Sequence, residues 1–221
     1  MNGILTWPID MASTILADME TTMRQAADHL AANDRVMADV ISRAGLCTIK
    51  PHKDYYGELV DSIISQQLSV KAAATILGRF KALFGDKLPT PDQILVIGHD
   101  DLRSAGLSNA KAKYIKSLAE HVMSGQLELE KFDRLSNAEI IKELTAVNGI
   151  GEWTAHMFLM FAMARLDILA VGDLGIRSGI RQLYDLDHLP DASEIRSIAE
   201  ENNWHPYETV ACWYIWHAKD N

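Results

Sequence analysis

Apolar residues along this chain recur every three to four positions, which is the period of an amphipathic helix. The first such stripe predicts a helix after Met11 and consists of Ile15, Leu16, Met19, Met23, Ala26, Ala27 and Leu30. Asn33 or Asp34 is a candidate N-cap for a second helix that ends at Gly45. No segment alternates between apolar and polar residues over the length of a strand. The pattern therefore predicts an all-α fold.

Capping residues predict where several later helices begin. A helix over residues 56–67 precedes one that Ser69 caps and that stops at Gly85. The run Thr90-Pro91-Asp92-Gln93 combines an N-cap, a proline at the first helical position and a glutamine three residues after the cap. The pair Gln66-Gln67 falls at the junction of the first two of these helices, where polar side chains ordinarily serve as capping groups.

A predicted helical hairpin follows in the middle of the chain. Ser136 and Glu139 have the spacing of a capping box and predict a helix from about Asn137. The glycines of the segment 148–151 interrupt it, because glycine permits a positive φ, and a second helix is predicted over residues 152–165. The unpaired N–H groups of that helix's first turn can receive a phosphate oxygen. An ordinary helical hairpin closed by a glycine cap is the alternative.

A single aspartate, Asp173, ends the short apolar linker that follows the hairpin. It precedes Leu-Gly-Ile-Arg and is a candidate N-cap for another helix. The positive N-terminal end of a helix favours the charged form of a carboxylate. Acting as an N-cap would therefore not prevent Asp173 from taking part in chemistry.

Composition restricts the class of protein. The chain has 221 residues, 48% of them hydrophobic, which is enough for the core of one or two domains. Its only cysteines are Cys47 and Cys212, too few for a four-cysteine zinc or iron–sulfur site, and no metal site is expected. The sequence shows neither a membrane span nor a signal peptide. We expect a protein that is not secreted and that resides in the bacterial cytoplasm or, in a eukaryote, the nucleus.

Charge is distributed unevenly along the chain. The net charge of −9 disfavours binding to DNA, yet residues 62–119 hold eight Lys and Arg against four Asp and Glu. From Arg103 to Lys116 there are four basic residues and no acidic one. This basic tract predicts either a local phosphate-binding surface or a solvated helix face.

Two short sequence motifs together resemble those of one protein family. They are Gly-Ile-Gly-Glu-Trp-Thr-Ala at 149–155 and Val-Gly-Asp-Leu-Gly-Ile-Arg at 171–177. They are similar to the helix-hairpin-helix and the catalytic aspartate of the HhH-GPD superfamily of DNA glycosylases. The resemblance is closest to its alkylation-repair branch, 3-methyladenine DNA glycosylase II. Three further segments look like that branch and extend the resemblance from about residue 57 to the C-terminus: 59–73, 107–119 and 204–216.

The resemblance implies two helical domains with a DNA-binding cleft between them. The domain with the hairpin would span residues 60–180, and the second would combine residues 1–59 with 181–221. The implied partner is double-stranded DNA containing alkylated bases, bound by a monomer that does not associate with membranes. No cofactor would be required, although family resemblance suggests a monovalent cation at the hairpin.

The resemblance also assigns roles to particular residues. Asp173 would be the catalytic carboxylate. Gln67 stands where the family places the residue that fills the gap left by a flipped base. The expected base pocket consists of Trp153, Trp216 and Met157, and the expected DNA contacts are Gly149, Gly151, Gln66, Gln67, Lys111 and Lys113. This sequence departs from the family at Met157, where a relative has an aromatic residue, and at Glu208, where the motif usually has arginine.

The implied function is a monofunctional DNA glycosylase of base excision repair. It would flip out alkylated bases of the 3-methyladenine and 7-methylguanine type and hydrolyse the N-glycosidic bond. Strand-cleaving members carry a lysine where this chain has Trp153, and an indole cannot form an imine, so no lyase activity is expected. The alternatives are a glycosylase for other damaged or mismatched bases and a non-catalytic DNA-binding protein.

Overall fold

The structure, a computed structural model, is entirely helical over the residues it describes, 9–220, with side chains from Asp18 to Lys219. This confirms the predicted fold class. Ile15 and Leu16 of the predicted N-terminal stripe lie outside the described side chains. No helix in this part of the chain is long and apolar enough to cross a membrane. The α-helices are α1 (Ile9–Asn33), α2 (Arg35–Ala44), α3 (Tyr55–Ser65), α4 (Val70–Ala82), α5 (Pro91–Val96), α6 (His99–Ser104), α7 (Asn109–Met123), α8 (Asn137–Thr145), α9 (Glu152–Met157), α10 (Leu174–Leu183), α11 (Ala192–Glu201) and α12 (Glu208–Asp220).

The predicted capping residues begin the helices as expected. Asp34, rather than Asn33, caps α2, and its side chain accepts hydrogen bonds from the N–H groups of Val36 and Met37. Ser69 caps α4 by accepting the N–H of Ala72. Ser136 and Glu139 form the predicted capping box of α8. These contacts satisfy backbone N–H groups that have no partner inside the helix.

The chain folds into two compact units. The middle unit consists of residues 51–164, and the end unit combines the residues up to Lys50 with those from Arg165 onwards. The predicted boundaries, 60–180 against 1–59 with 181–221, differ from these units at residues 51–59 and 165–180. Helix α10 belongs with the chain ends because it packs on α12, where Gly179 has no side chain to obstruct Ile215. Asp173, at the start of α10, is therefore part of the end unit.

The core of the end unit is built around α12, which packs on α1, α2 and α10. The buried carboxylate of Asp34 accepts a hydrogen bond from the indole Nε1 of Trp204 at 2.8 Å and another from the hydroxyl of Tyr184. Thr209 donates from its hydroxyl to the carbonyl of Arg165 at 2.6 Å, which ties α12 to the linker before Asp173. A fully paired buried carboxylate of this kind fixes the arrangement of the helices around it.

In the middle unit α7 packs on α3, α5 and α6, and α8 packs on α9. The second hairpin helix, predicted from about Glu152 to Arg165, begins at Glu152 and ends at Ala162, three residues before the predicted end. Helix α9 ends at Met157 and continues as a wider π-helical segment, Phe158–Ala162, in which the N–H of Met163 bonds to the carbonyl of Phe158. The chain then leaves the helix through Ala164, which has a φ of 53°.

Candidate functional site

Asp173 is the N-cap of α10, and its carboxylate is held by two donors. Its Oδ1 accepts the backbone N–H of Ile176 at 2.8 Å, which confirms the predicted capping role. The same oxygen accepts the indole Nε1–H of Trp216 at 2.9 Å. A carboxylate fixed by two donors has a defined orientation before any ligand binds. Asp173 and Trp216, predicted separately as catalytic and pocket residues, are thus brought together within the end unit.

The contact between Asp173 and Trp216 depends on Gly175. A Cβ atom at Gly175 would lie 2.8 Å from Oδ1 of Asp173 and 2.9 Å from Nε1 of Trp216. Both distances are too short for a real side chain, so only glycine leaves room for this hydrogen bond. Gly175 was not among the site residues predicted from the sequence. The available signal was a glycine in the first turn of a helix, where it costs about 1 kcal/mol relative to alanine and so indicates a packing requirement.

Neither cysteine of the chain offers a nucleophile. Burial raises the pKa of the Cys212 thiol to about 12 and that of Cys47 to about 11, so both remain protonated at neutral pH. The described residues contain no group of His, Cys, Asp and Glu side chains that could hold a metal ion. Neither thiol therefore competes with the Asp173 carboxylate as a reactive group of the end unit.

Glu208, which stands where the family motif has arginine, lies at the start of α12. Its side chain is only 15% exposed, and its Oε1 is 3.0 Å from Nδ1 of His205. Its Oε2 is buried without a hydrogen-bond partner. The departure from the motif thus places a carboxylate, rather than a guanidinium, in this part of the end unit.

The two glycines of the hairpin have different roles. Gly149 has a φ of 90°, and a Cβ atom there would lie 2.1 Å from the ring of Tyr114. Gly151 is the N-cap of α9 and has an ordinary φ of −94°, and a Cβ atom there would meet no other atom within 4 Å. Of these two glycines, which both permit a positive φ, only Gly149 adopts one.

Gln66 and Gln67, both predicted as DNA contacts, have different environments in the structure. Gln66 ends α3, and its side-chain amide donates to the carbonyl of Gly149 at 2.9 Å. Gln67 is exposed and has a φ of 56°, a backbone conformation that is rare for residues other than glycine. The side chain of Gln66 therefore ties two loops of the middle unit together, whereas Gln67 is exposed to solvent, where it can meet a ligand.

The two lysines predicted to bind DNA also differ. The ammonium of Lys111 donates to the carbonyls of Ile64 and Gln66, both at 2.7 Å, and partial burial lowers its pKa. Lys113, two residues further along α7, is exposed. Of these two lysines, Lys111 thus binds main-chain carbonyls of the protein, whereas Lys113 faces solvent.

The remaining predicted pocket residues lie on α9 of the middle unit. Trp153 and Met157 are four residues apart and therefore occupy one face of that helix. Trp153 is 49% exposed, an unusual state for so large an apolar side chain. Met157 is half-buried.

The chain is similar to known proteins in both sequence and structure. The family model described as "HhH-GPD superfamily base excision DNA repair protein" matches residues 60–204. DNA-3-methyladenine glycosylase 1 of Schizosaccharomyces pombe is 34% identical over 206 residues, which are 90% of this chain and 89% of that protein. The structure of S. pombe 3-methyladenine DNA glycosylase in complex with abasic DNA has a TM-score of 0.77 and covers 89% of this chain and 97% of that one. A DNA-3-methyladenine glycosidase from Bacillus halodurans is 39% identical, with a TM-score of 0.79 over 87% and 88% of the two chains.

Proposed function

This chain belongs to the HhH-GPD superfamily of base excision DNA repair proteins, and we propose that it is a monofunctional DNA glycosylase that removes alkylated bases from duplex DNA. The observation that carries the proposal is the Asp173 carboxylate, held at the start of α10 by the backbone of Ile176 and the indole of Trp216. The substrate class is supported by relatives whose names specify 3-methyladenine glycosylase and which match nearly the whole chain.

The proposed reaction needs one carboxylate. As the bond between the base and deoxyribose C1′ breaks, its electron pair leaves with the base and the sugar acquires oxocarbenium character. The negative charge of Asp173 stabilises that positive charge. Water then forms the new bond to C1′, and its proton passes to the carboxylate or to solvent. Because Ile176 and Trp216 already orient the carboxylate, little reorganisation is needed during the reaction.

Alkylated bases suit a site with one carboxylate and aromatic side chains. A base alkylated at N3 or N7 carries a positive charge, so it becomes neutral on leaving and needs no strong acid. Electron-rich indole faces attract such a ring through cation–π interactions. We assign base recognition to the rings of Trp153 and Trp216 and to the polarisable thioether of Met157. With methionine in place of an aromatic residue, recognition relies more on the two indoles.

Contacts with the DNA backbone are assigned to the middle unit. Gly151 leaves open the backbone N–H groups at the start of α9, which can receive a phosphate oxygen, and exposed Lys113 supplies positive charge. Gln67 would enter the space left by the flipped base and hydrogen-bond the orphaned partner base. The implied monovalent cation would be held by main-chain carbonyls of the hairpin, because neutral oxygen ligands suit such an ion better than a transition metal. Such an ion would add positive charge near the phosphate.

Trp153 supports the absence of strand cleavage. It occupies the position at which lyase members carry the lysine that attacks C1′, and an indole nitrogen does not form a Schiff base. We therefore propose that water is the nucleophile and that the product is an intact abasic site.

The experiment that tests this function uses duplex oligonucleotides containing 7-methylguanine, hypoxanthine or ethenoadenine. After incubation, alkali cleaves any abasic site, and the strands are separated by electrophoresis. We expect base release from the duplex with 7-methylguanine and no strand break before alkali. Release of hypoxanthine or ethenoadenine alone would assign the other damaged bases, and DNA binding without release from any duplex would indicate a non-catalytic DNA-binding protein.

A further inference from the structure

One face of α7 contacts two loops of the middle unit. Lys111, Tyr114 and Ser117 are three residues apart, a spacing that places them along one side of the helix. Lys111 reaches the turn between α3 and α4, residues 66–69, which we call the plug turn. Tyr114 packs against Gly149 of the hairpin loop, residues 148–151, and the hydroxyl oxygen of Ser117 accepts the backbone N–H of Asn148.

The plug turn and the hairpin loop are also joined directly. The side-chain amide of Gln66 donates to the carbonyl of Gly149 at 2.9 Å, and the carbonyl of Gln66 in turn accepts the ammonium of Lys111 at 2.7 Å. The side chain of Gln66 thus contacts the hairpin loop, and its main-chain carbonyl contacts α7. Helix α7, the plug turn and the hairpin loop therefore each contact the other two.

Lys111 has a physical reason to occupy this place. The last carbonyls of a helix have no partner inside it, and the C-terminal end of a helix attracts a cation. Lys111 satisfies the carbonyls of Ile64, in the last turn of α3, and of Gln66, the residue that caps it. The next residue, Gln67, holds a left-handed backbone conformation that persists only where the surroundings enforce it.

We infer that Lys111 is a positioning residue, which fixes the position of the plug turn relative to the hairpin loop. The inference rests on the proposed function, because it assigns Gln67 to the space left by a flipped base and the hairpin loop to a phosphate. Because Lys111 fixes this arrangement, binding of a phosphate by the hairpin loop also determines how far Gln67 enters the duplex. The Lys111 ammonium is committed to the protein, so it contributes little to phosphate neutralisation.

The test compares Lys111→Met with Lys113→Met, which remove the same charge from the same helix. Each variant is titrated with two duplexes, one undamaged and one containing a tetrahydrofuran abasic analogue, over a series of salt concentrations. Neither duplex is cleaved, so the result does not depend on glycosylase activity. A protein that binds the abasic duplex selectively but releases no base would contradict the proposed catalytic function while leaving this test intact.

We expect Lys111→Met to reduce the preference for the abasic duplex by about tenfold, because the plug turn is no longer held in position relative to the hairpin loop. The salt dependence of binding should stay unchanged, because no phosphate contact is lost. Lys113→Met should lower the slope of log affinity against log salt by about 0.9, as expected for one lost phosphate contact, and retain the preference. Lys111→Arg, which keeps donors for both carbonyls, should restore most of the preference.

A double-variant cycle separates positioning from a general loss of stability. If Lys111 acts through the plug turn, adding Lys111→Met to Gln67→Ala should reduce the preference no further than Gln67→Ala alone. Gln66→Met, which removes only the amide bond to Gly149, provides a second route to the same loss of preference. The inference is overturned if Lys111→Met lowers the salt slope by about 0.9 with the preference intact, or if its effect adds fully to that of Gln67→Ala.

Discussion

Replacing Gly175 by alanine tests the arrangement of the candidate catalytic carboxylate without changing any group that performs chemistry. The new methyl group would lie 2.8 Å from Oδ1 of Asp173, 2.9 Å from Nε1 of Trp216 and 3.0 Å from its Cδ1. Ordinary contacts begin at 3.4 Å, so the carboxylate and the indole must each move by roughly half an ångström.

The size of the effect follows from the geometry. The methyl group would crowd both atoms of a hydrogen bond that is now 2.9 Å long, and a length beyond 3.5 Å ends the hydrogen bond. Misplacing a catalytic group by about 1 Å can cost a factor of about 100 in rate. For a displacement of about half that size we expect Gly175→Ala to lower kcat by about 10- to 50-fold, which is about 1.4–2.3 kcal/mol of transition-state stabilisation.

The assay is single-turnover base release from a duplex containing 7-methylguanine, with protein in excess so that weaker binding does not limit the rate. Gly78→Ala is the matched control, because Gly78 lies within α4 and has nothing within 4 Å of the position of a Cβ. Alanine has the higher helix propensity at both positions, by about 1 kcal/mol in the helix interior where Gly78 lies. Only Gly175→Ala crowds a hydrogen bond, so only this variant should lose activity.

The reasoning is refuted if Gly175→Ala releases base at the parental rate while its thermal unfolding temperature rises as that of Gly78→Ala does. That result would show that α10 and α12 accommodate a methyl group without cost. A fall in the unfolding temperature of Gly175→Ala together with a tenfold lower kcat would agree with the crowding described above.

Two further predictions concern the middle unit. Gly149→Ala should lower the free energy of unfolding by about 2–4 kcal/mol, because it combines a positive φ with a clash against Tyr114, whereas Gly151→Ala should change it by less than about 0.5 kcal/mol and weaken DNA binding equally for all sequences. Chemical denaturation and titration at low salt separate the two; unchanged affinity in Gly151→Ala would exclude it as a phosphate contact. Borohydride added during turnover should trap no covalent protein–DNA adduct, since Trp153 replaces the lysine of lyase members, and an adduct lost on mutating a lysine would contradict this.

Local features of the fold could be predicted from the sequence because their causes are local. Ser136, for example, accepts the N–H group of a residue three positions later, so a short sequence motif is enough to predict this helix cap. Asp173 was predicted both as a cap and, by resemblance, as a catalytic residue, and the structure confirms the cap. The catalytic role remains a proposal.

Features that depend on contacts between distant residues could not be predicted in this way. The sequence predicts Lys111, like Lys113, as a DNA contact, and the carbonyls that Lys111 binds lie 47 and 45 residues earlier in the chain. Gly175 matters because Trp216, on α12, lies beside it. The last residue of the π-helical segment, Ala162, likewise has a distant partner, because its carbonyl accepts the N–H of His52. None of these partners is identified by spacing along the sequence.

The central claim is that the Asp173 carboxylate performs the reaction, and Asp173→Asn tests it most directly. Asparagine has nearly the same shape and can still accept the N–H groups of Ile176 and Trp216 through its carbonyl oxygen. The variant should therefore fold and bind a duplex containing an abasic analogue with affinity within about twofold of the parent, because the uncharged analogue has no developing positive charge for the carboxylate to stabilise.

The decisive measurement is the single-turnover rate of base release by Asp173→Asn from a duplex containing 7-methylguanine, made at protein concentrations that saturate binding. Loss of the negative charge at the developing oxocarbenium ion should lower this rate by about 100-fold or more. Base release by the saturated variant at the parental rate would contradict the account and remove Asp173 from the mechanism.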